Sequence, residues 1–179
     1  MKTIKKILGS GILLALVAFA SVFATASAKP LGERYNVMRT DSLTRANREI
    51  SLSGAVLLAQ RARAYAKTLN RDIAVAIVDA GGNIILLNRE NLAGPHNAEA
   101  ARRKAYTSLS TKTSTLVLAL SSTSKAGNGN LTTVPGLLLL GGGMPLYHGK
   151  DCIGAIGIAG GGGPENDDLI ARNAILEPN

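Results

Sequence analysis

Asp72-Ile-Ala-Val-Ala-Ile-Val-Asp79, Ala80-Gly81-Gly82-Asn83 and Ile84-Ile85-Leu86-Leu87 are three consecutive stretches whose reading decides the fold. The first and third are rich in β-branched and large apolar residues, which suit strands. The middle one is a tight turn, with glycine supplying positive φ. A turn this short joins only antiparallel neighbours. The sheet therefore begins as a hairpin, not as a βαβ crossover.

On the N-terminal side, Ala55, Leu58, Ala59, Ala62, Tyr65, Ala66 and Leu69 recur at three- and four-residue spacing. That is one apolar face of a helix over 53–69. Ser51 or Ser53 is placed to cap its start and Asn70 to end it. On the C-terminal side a loop, 88–95, leads to a helix from His96 to about Ser108, with Pro95 at its entry. A second helix is expected over 114–120 and a polar loop over 121–133. Val134 to Leu140 is apolar and reads as a further strand. Met144–Tyr147 and Asp151–Ala159 form a second hairpin, turning at His148-Gly149-Lys150, and Pro164–Leu176 a closing helix. The expectation is an α/β (α+β) domain with one central, largely antiparallel sheet of about five strands flanked by helices.

The start of the chain reads differently. Lys2, Lys5 and Lys6 precede an apolar run from Ile7 to Phe23, and Ala26-Ser27-Ala28 is a small-residue cleavage site. Residues 1–28 are expected to be a secretory signal peptide, residues 29–50 a polar N-terminal arm, and residues 51–179 the domain. Cleavage near Ala28 would leave 179 less 28, or 151 residues, outside the cytoplasm, periplasmic or secreted. That length suits one domain. Of 20 Lys+Arg and 12 Asp+Glu, three lysines lie in the leader, so the remainder carries 17 against 12. This mild basicity suits acidic small ligands or anionic surfaces. The part after the leader has four tyrosines and no other aromatic, so the stacking platforms of single-strand nucleic-acid binders are missing and nucleic acid is not expected as a partner. The single cysteine, Cys152, excludes an internal disulfide framework and a cysteine-based zinc site.

Glycines suggest a nucleotide loop, yet Gly154-x-x-Gly157 lies inside a strand and no Walker lysine motif occurs. No G-x-S-x-G elbow or H-E-x-x-H motif is present, and no catalytic residue is assigned. The chemistry-bearing candidates gather on the helix that begins at His96. An imidazole at a helix start beside a loop can point into a cleft and ligate haem iron through one ring nitrogen. His148, in a hairpin turn, is better explained by solvent exposure. Arg103 and Lys104 follow His96 by two turns on roughly the same face, about 11–12 Å along the axis. One planar tetrapyrrole would touch both, with its iron near His96 and its propionates near the cations. Tyr106 and Thr107 continue the stripe.

These segments together resemble the GlcG/HbpS-type haem-binding (haem-degrading) domain family, from Ser53 to the C-terminus. The resemblance is carried by Val78-Asp79-Ala80-Gly81-Gly82-Asn83, by Gly94-Pro95-His96-Asn97 with Ala101-Arg102-Arg103-Lys104-Ala105-Tyr106-Thr107, by Gly141-Gly142-Gly143-Met144-Pro145-Leu146, by Ile153-Gly154-Ala155-Ile156-Gly157-Ile158, and by Pro164-Glu165-Asn166-Asp167. Ala159 departs from it, standing where the family often has serine. The resemblance implies a profilin-like α/β sandwich and a homo-oligomer. It also implies haem or a related tetrapyrrole as ligand, for scavenging or for haem and redox-stress sensing. A module acting through a membrane sensor or receptor, or a haem-degrading enzyme, are its other implications.

Overall fold

The computed structural model describes residues 46–122 and 129–176. The leader and most of the arm lie outside the described residues. No helix among those described is long and apolar enough to cross a membrane.

Among the described residues, four helices and four strands, with one short 3-10 turn, follow in order. They are α1 (Leu52–Thr68), β1 (Ala74–Asp79), β2 (Ile84–Arg89), α2 (His96–Thr111), α3 (Thr115–Ser122), the turn Gly129–Thr133, β3 (Gly143–His148), β4 (Asp151–Ala159) and α4 (Pro164–Ile175). The sheet has the order β2-β1-β4-β3, and every neighbouring pair is antiparallel. Helices flank it on both faces, as expected of an α/β sandwich.

The first hairpin forms where the sequence places it. Gly82 takes φ +86, and the Asp79 carboxylate accepts from the Gly81 and Asn83 amides at 2.8 and 2.9 Å. Burial raises the pKa of Asp79, but its bonds from Asn83, Gly81 and Gly82 outweigh this and hold it below the usual carboxylate range. Ser51 caps α1, accepting from the Gly54 amide at 3.1 Å, and Asn70 follows its end with φ +55.

One expected strand is not there. Val134–Leu140 is an irregular strap, so the sheet has four strands and not five. Its backbone polar groups are met by local backbone bonds and by helix side chains instead of a ladder. Thr107 Oγ1 accepts from the Leu138 amide at 2.8 Å, Arg103 donates to the Gly136 and Leu137 carbonyls, and Thr115 Oγ1 donates to the Leu140 carbonyl at 2.7 Å. Apolar content alone does not distinguish these two outcomes.

Side-chain size sorts the two faces of the sheet. Val75, Ile77, Ile156 and Ile158 join the core that includes the α1 alanines 55, 59, 62 and 66 and α4 residues Ile170, Ala171 and Ala174. Ala74, Ala76, Ala155 and Ala159 face α2 through Ala101 and Ala105. Small residues on that side let α2 approach closely. A Cβ on Gly157 would lie 2.0 Å from the Ala101 carbonyl oxygen. The helix backbone therefore rests directly on the strand.

Candidate functional site

His96 is the first residue of α2 and is exposed. Its ring folds back over Gly94, where a Cβ would come within 2.8 Å of Cε1 and 3.1 Å of Nδ1. The corner is closed by the Asn97 amide donating to the Gly94 carbonyl at 3.0 Å. Among the described residues the imidazole has no hydrogen-bond or ionic partner, and no group of three or more His, Cys, Asp or Glu side chains is placed to hold a metal ion. A lone imidazole is the donor set of a haem axial ligand, because the porphyrin supplies the remaining in-plane nitrogens. Leu92 and Pro95, which precede it in the chain, expose apolar surface.

The other candidates do not join His96. Lys104 is 1% exposed, and its ammonium donates to Asp167 at 2.7 Å and to the Ile158 carbonyl at 3.0 Å. It is turned into the protein and is not presented to a ligand's carboxylate from solvent. Asp167 also accepts from the Gly161 amide at 2.6 Å. Burial pushes the Asp167 carboxyl up, and the facing Lys104 charge opposes that shift. This buried pair ties α2, β4 and the start of α4 together. Arg103 is half-buried and spends its donors on the strap carbonyls. Thr107 is fully buried, donating to the Arg103 carbonyl at 2.7 Å while accepting from Leu138. Tyr106 is part-exposed and lies against Gly82 at the hairpin turn. Ten residues of helix separate it from His96, about 15 Å along the axis. His148 ends β3 and is exposed.

A cation missed in the sequence lies on the loop that meets the His96 end of α2. A Cβ on Gly160 would touch Asn97 Nδ2 at 3.2 Å, so the glycine loop 160–163 abuts the start of α2. Over Gly162 of that loop sits the Arg71 guanidinium, with Cζ, Nε and Nη2 each 2.9 Å from where a Cβ would be. Equal distances place the planar group face-on to the backbone. Its edge carries the donors, and no carboxylate among the described residues pairs with it. Arg71 and Gly162 are far apart in the chain, and no spacing rule links them.

The loop before α2 is tied at successive residues. Asp72 accepts from the Leu92 amide at 3.1 Å and pairs with Lys67. Lys67 also reaches Glu90 at 3.2 Å, and Glu90 accepts from the Ile73 amide at 2.9 Å. The Lys67 ammonium, then the Leu92 amide, hold the Asp72 carboxyl below its usual range.

Comparison with known proteins gives a consistent result. The sequence model of the family described as haem degrading protein HbpS-like matches residues 50–176. An uncharacterised 15.0 kDa protein from the dhaT-dhaS intergenic region of Citrobacter freundii is 30% identical over 128 residues, 70% of this chain and 89% of that one. The crystal structure of a double mutant of Streptomyces reticuli HbpS superposes with TM-score 0.70 at 31% identity, covering 83% of this chain and 96% of that one. The crystal structure of a PduOC–haem complex superposes with TM-score 0.64 at 29% identity, covering 71% and 93%.

Proposed function

Because the chain belongs to the HbpS-like haem-degrading protein family, we propose that it is an exported haem-binding protein whose axial ligand is His96. The observation that carries the reading is the exposed imidazole held over Gly94 at the start of α2, with no partner among the described residues. The haem complex formed by the related PduOC protein supports the ligand class. Haem, when bound, would supply a redox-active iron. In this chain His96 would hold the iron through a ring nitrogen, with its imidazole set over the Gly94 backbone. Arg71 is the cation assigned to a propionate, since a guanidinium edge matches a carboxylate bidentately. Lys104, Arg103 and Thr107 act behind the site by fixing α2 to the sheet and to the strap. Export rests on the basic, apolar and small-residue pattern of residues 1–28, and a mature N-terminus at Lys29 is the observation that checks it.

Titration with hemin, followed in the Soret band, tests the ligand. A saturable stoichiometric shift is expected in the wild type and in His148→Ala, and is expected to be lost or moved in His96→Ala. Unchanged spectra and affinity in His96→Ala would remove that residue from the iron. Absence of saturable binding in the wild type would remove haem from the reading.

A further inference from the structure

Leu92 is 88% exposed, the most exposed large hydrophobic side chain among the described residues. A single exposed leucine on a loose loop would be ordinary surface. This loop is not loose. The Glu90 amide donates to the Ile73 carbonyl at 3.0 Å, the Leu92 amide to Asp72 at 3.1 Å, and the Ala93 amide to the Glu90 carbonyl at 3.1 Å. Arg89 donates to the Ala93 carbonyl, and Ala93 itself is buried. Asp72 and Glu90 are both bound by Lys67 from the end of α1. Backbone on either side of Leu92 is thus fixed while its side chain is held out in water. Pro95 and His96 follow at once, after the corner closed by Asn97 and Gly94.

Fixing the backbone that carries an exposed isobutyl group buries none of that group in the free protein. It benefits an apolar ligand, because little backbone ordering remains to be done on contact. Resting on the haem reading of His96, we infer that Leu92 is the apolar contact for the tetrapyrrole macrocycle, held ready by the Asp72–Lys67–Glu90 and Arg89 clamp. His96 supplies the bond to iron, and Leu92 supplies contact with the ring system that does not depend on iron.

Two probes separate these roles. Mature wild type, Leu92→Ser, Leu92→Met and His96→Ala are each titrated with hemin and with iron-free protoporphyrin IX, the latter by fluorescence. Leu92→Ser is expected to weaken both about ten-fold, the effect of losing part of one leucine's burial. Leu92→Met restores both, and His96→Ala weakens hemin while leaving protoporphyrin near wild type. Circular dichroism and thermal midpoint stay at wild-type values in Leu92→Ser, since the side chain packs on little. Wild-type affinity of Leu92→Ser for both probes would overturn the inference and leave the His96 reading standing. Weakened hemin binding with unchanged protoporphyrin binding would also overturn it, by showing that Leu92 acts only through the iron ligand. A wild type that binds neither probe would overturn both.

Discussion

The residue that departs most from its sequence reading is Lys104. In the run Arg102-Arg103-Lys104 the three cations look alike, yet each has a different role. Arg102 pairs with Glu99 three residues back on the same helix, Arg103 clasps the strap, and Lys104 is buried against Asp167. Only the first of these partners is local, and so only that one was open to sequence reasoning. The position of His96 was legible because Gly94-Pro95 marks a helix entry. Arg71 was not, because only the folded chain brings it to Gly162. Removing one partner of a buried pair leaves a charge without compensation, which costs more than the pair itself contributes. Lys104→Met is expected to destabilise the protein by about 3–5 kcal/mol near neutral pH, read from the urea midpoint. The pH dependence has a definite sign. Burial already raises Asp167, and loss of Lys104 raises it further. A carboxyl raised in the folded state disfavours folding once pH climbs above its unfolded value of about 4. The deficit of Lys104→Met should therefore shrink as pH is lowered toward that value. A deficit that stays constant from neutral pH down to it would contradict the burial account.

Among the elements, those written in neighbouring residues were read most closely. The first hairpin needs only the apolar runs, the glycine turn and Asp79 at its base. The second hairpin and the closing helix likewise lie within a few residues of their expected bounds. The strap 134–140 was misread because its partners, Arg103, Thr107 and Thr115, belong to helices earlier in the chain. The seating of α2 is the element-scale feature most open to test. A methyl on Gly157 would meet backbone atoms of α2, the Ala101 carbonyl oxygen and the Ala105 nitrogen, and backbone cannot rotate aside as a side chain can. Gly157→Ala is expected to destabilise by about 3 kcal/mol or more, at the upper end of overpacking effects. Gly149→Ala is the control for mutating a glycine in this hairpin, since a Cβ there meets nothing within 4 Å and its cost comes only from φ +61. Equal urea midpoints for the two variants would show that α2 is not seated on Gly157.

For the whole molecule, the open question is what becomes of the sheet's edges. β2 is an edge strand, and it exposes Ile84 and Leu87 while its neighbours Ile85 and Leu86 are half-buried. Apolar edges of this kind invite pairing with a second chain. We propose that the protein self-associates, and that β2 is the edge it uses. Light scattering is expected to give a multiple of the chain mass, and Ile84→Lys with Leu87→Lys is expected to give the single-chain mass with unchanged circular dichroism. A monomeric wild type, or an undisturbed assembly in the double variant, would reject that edge. The direct contact of α2 with β4 has a last consequence, for thermodynamics. At Gly157 helix backbone meets strand backbone, and the side chains around that contact are mostly alanines with few rotamers to lose, so the freedom of α2 is lost when the chain folds and not when a ligand arrives. Calorimetry of binding at His96 should then show only a small entropic penalty from the protein, with most of the heat-capacity change coming from the surface covered by the ligand.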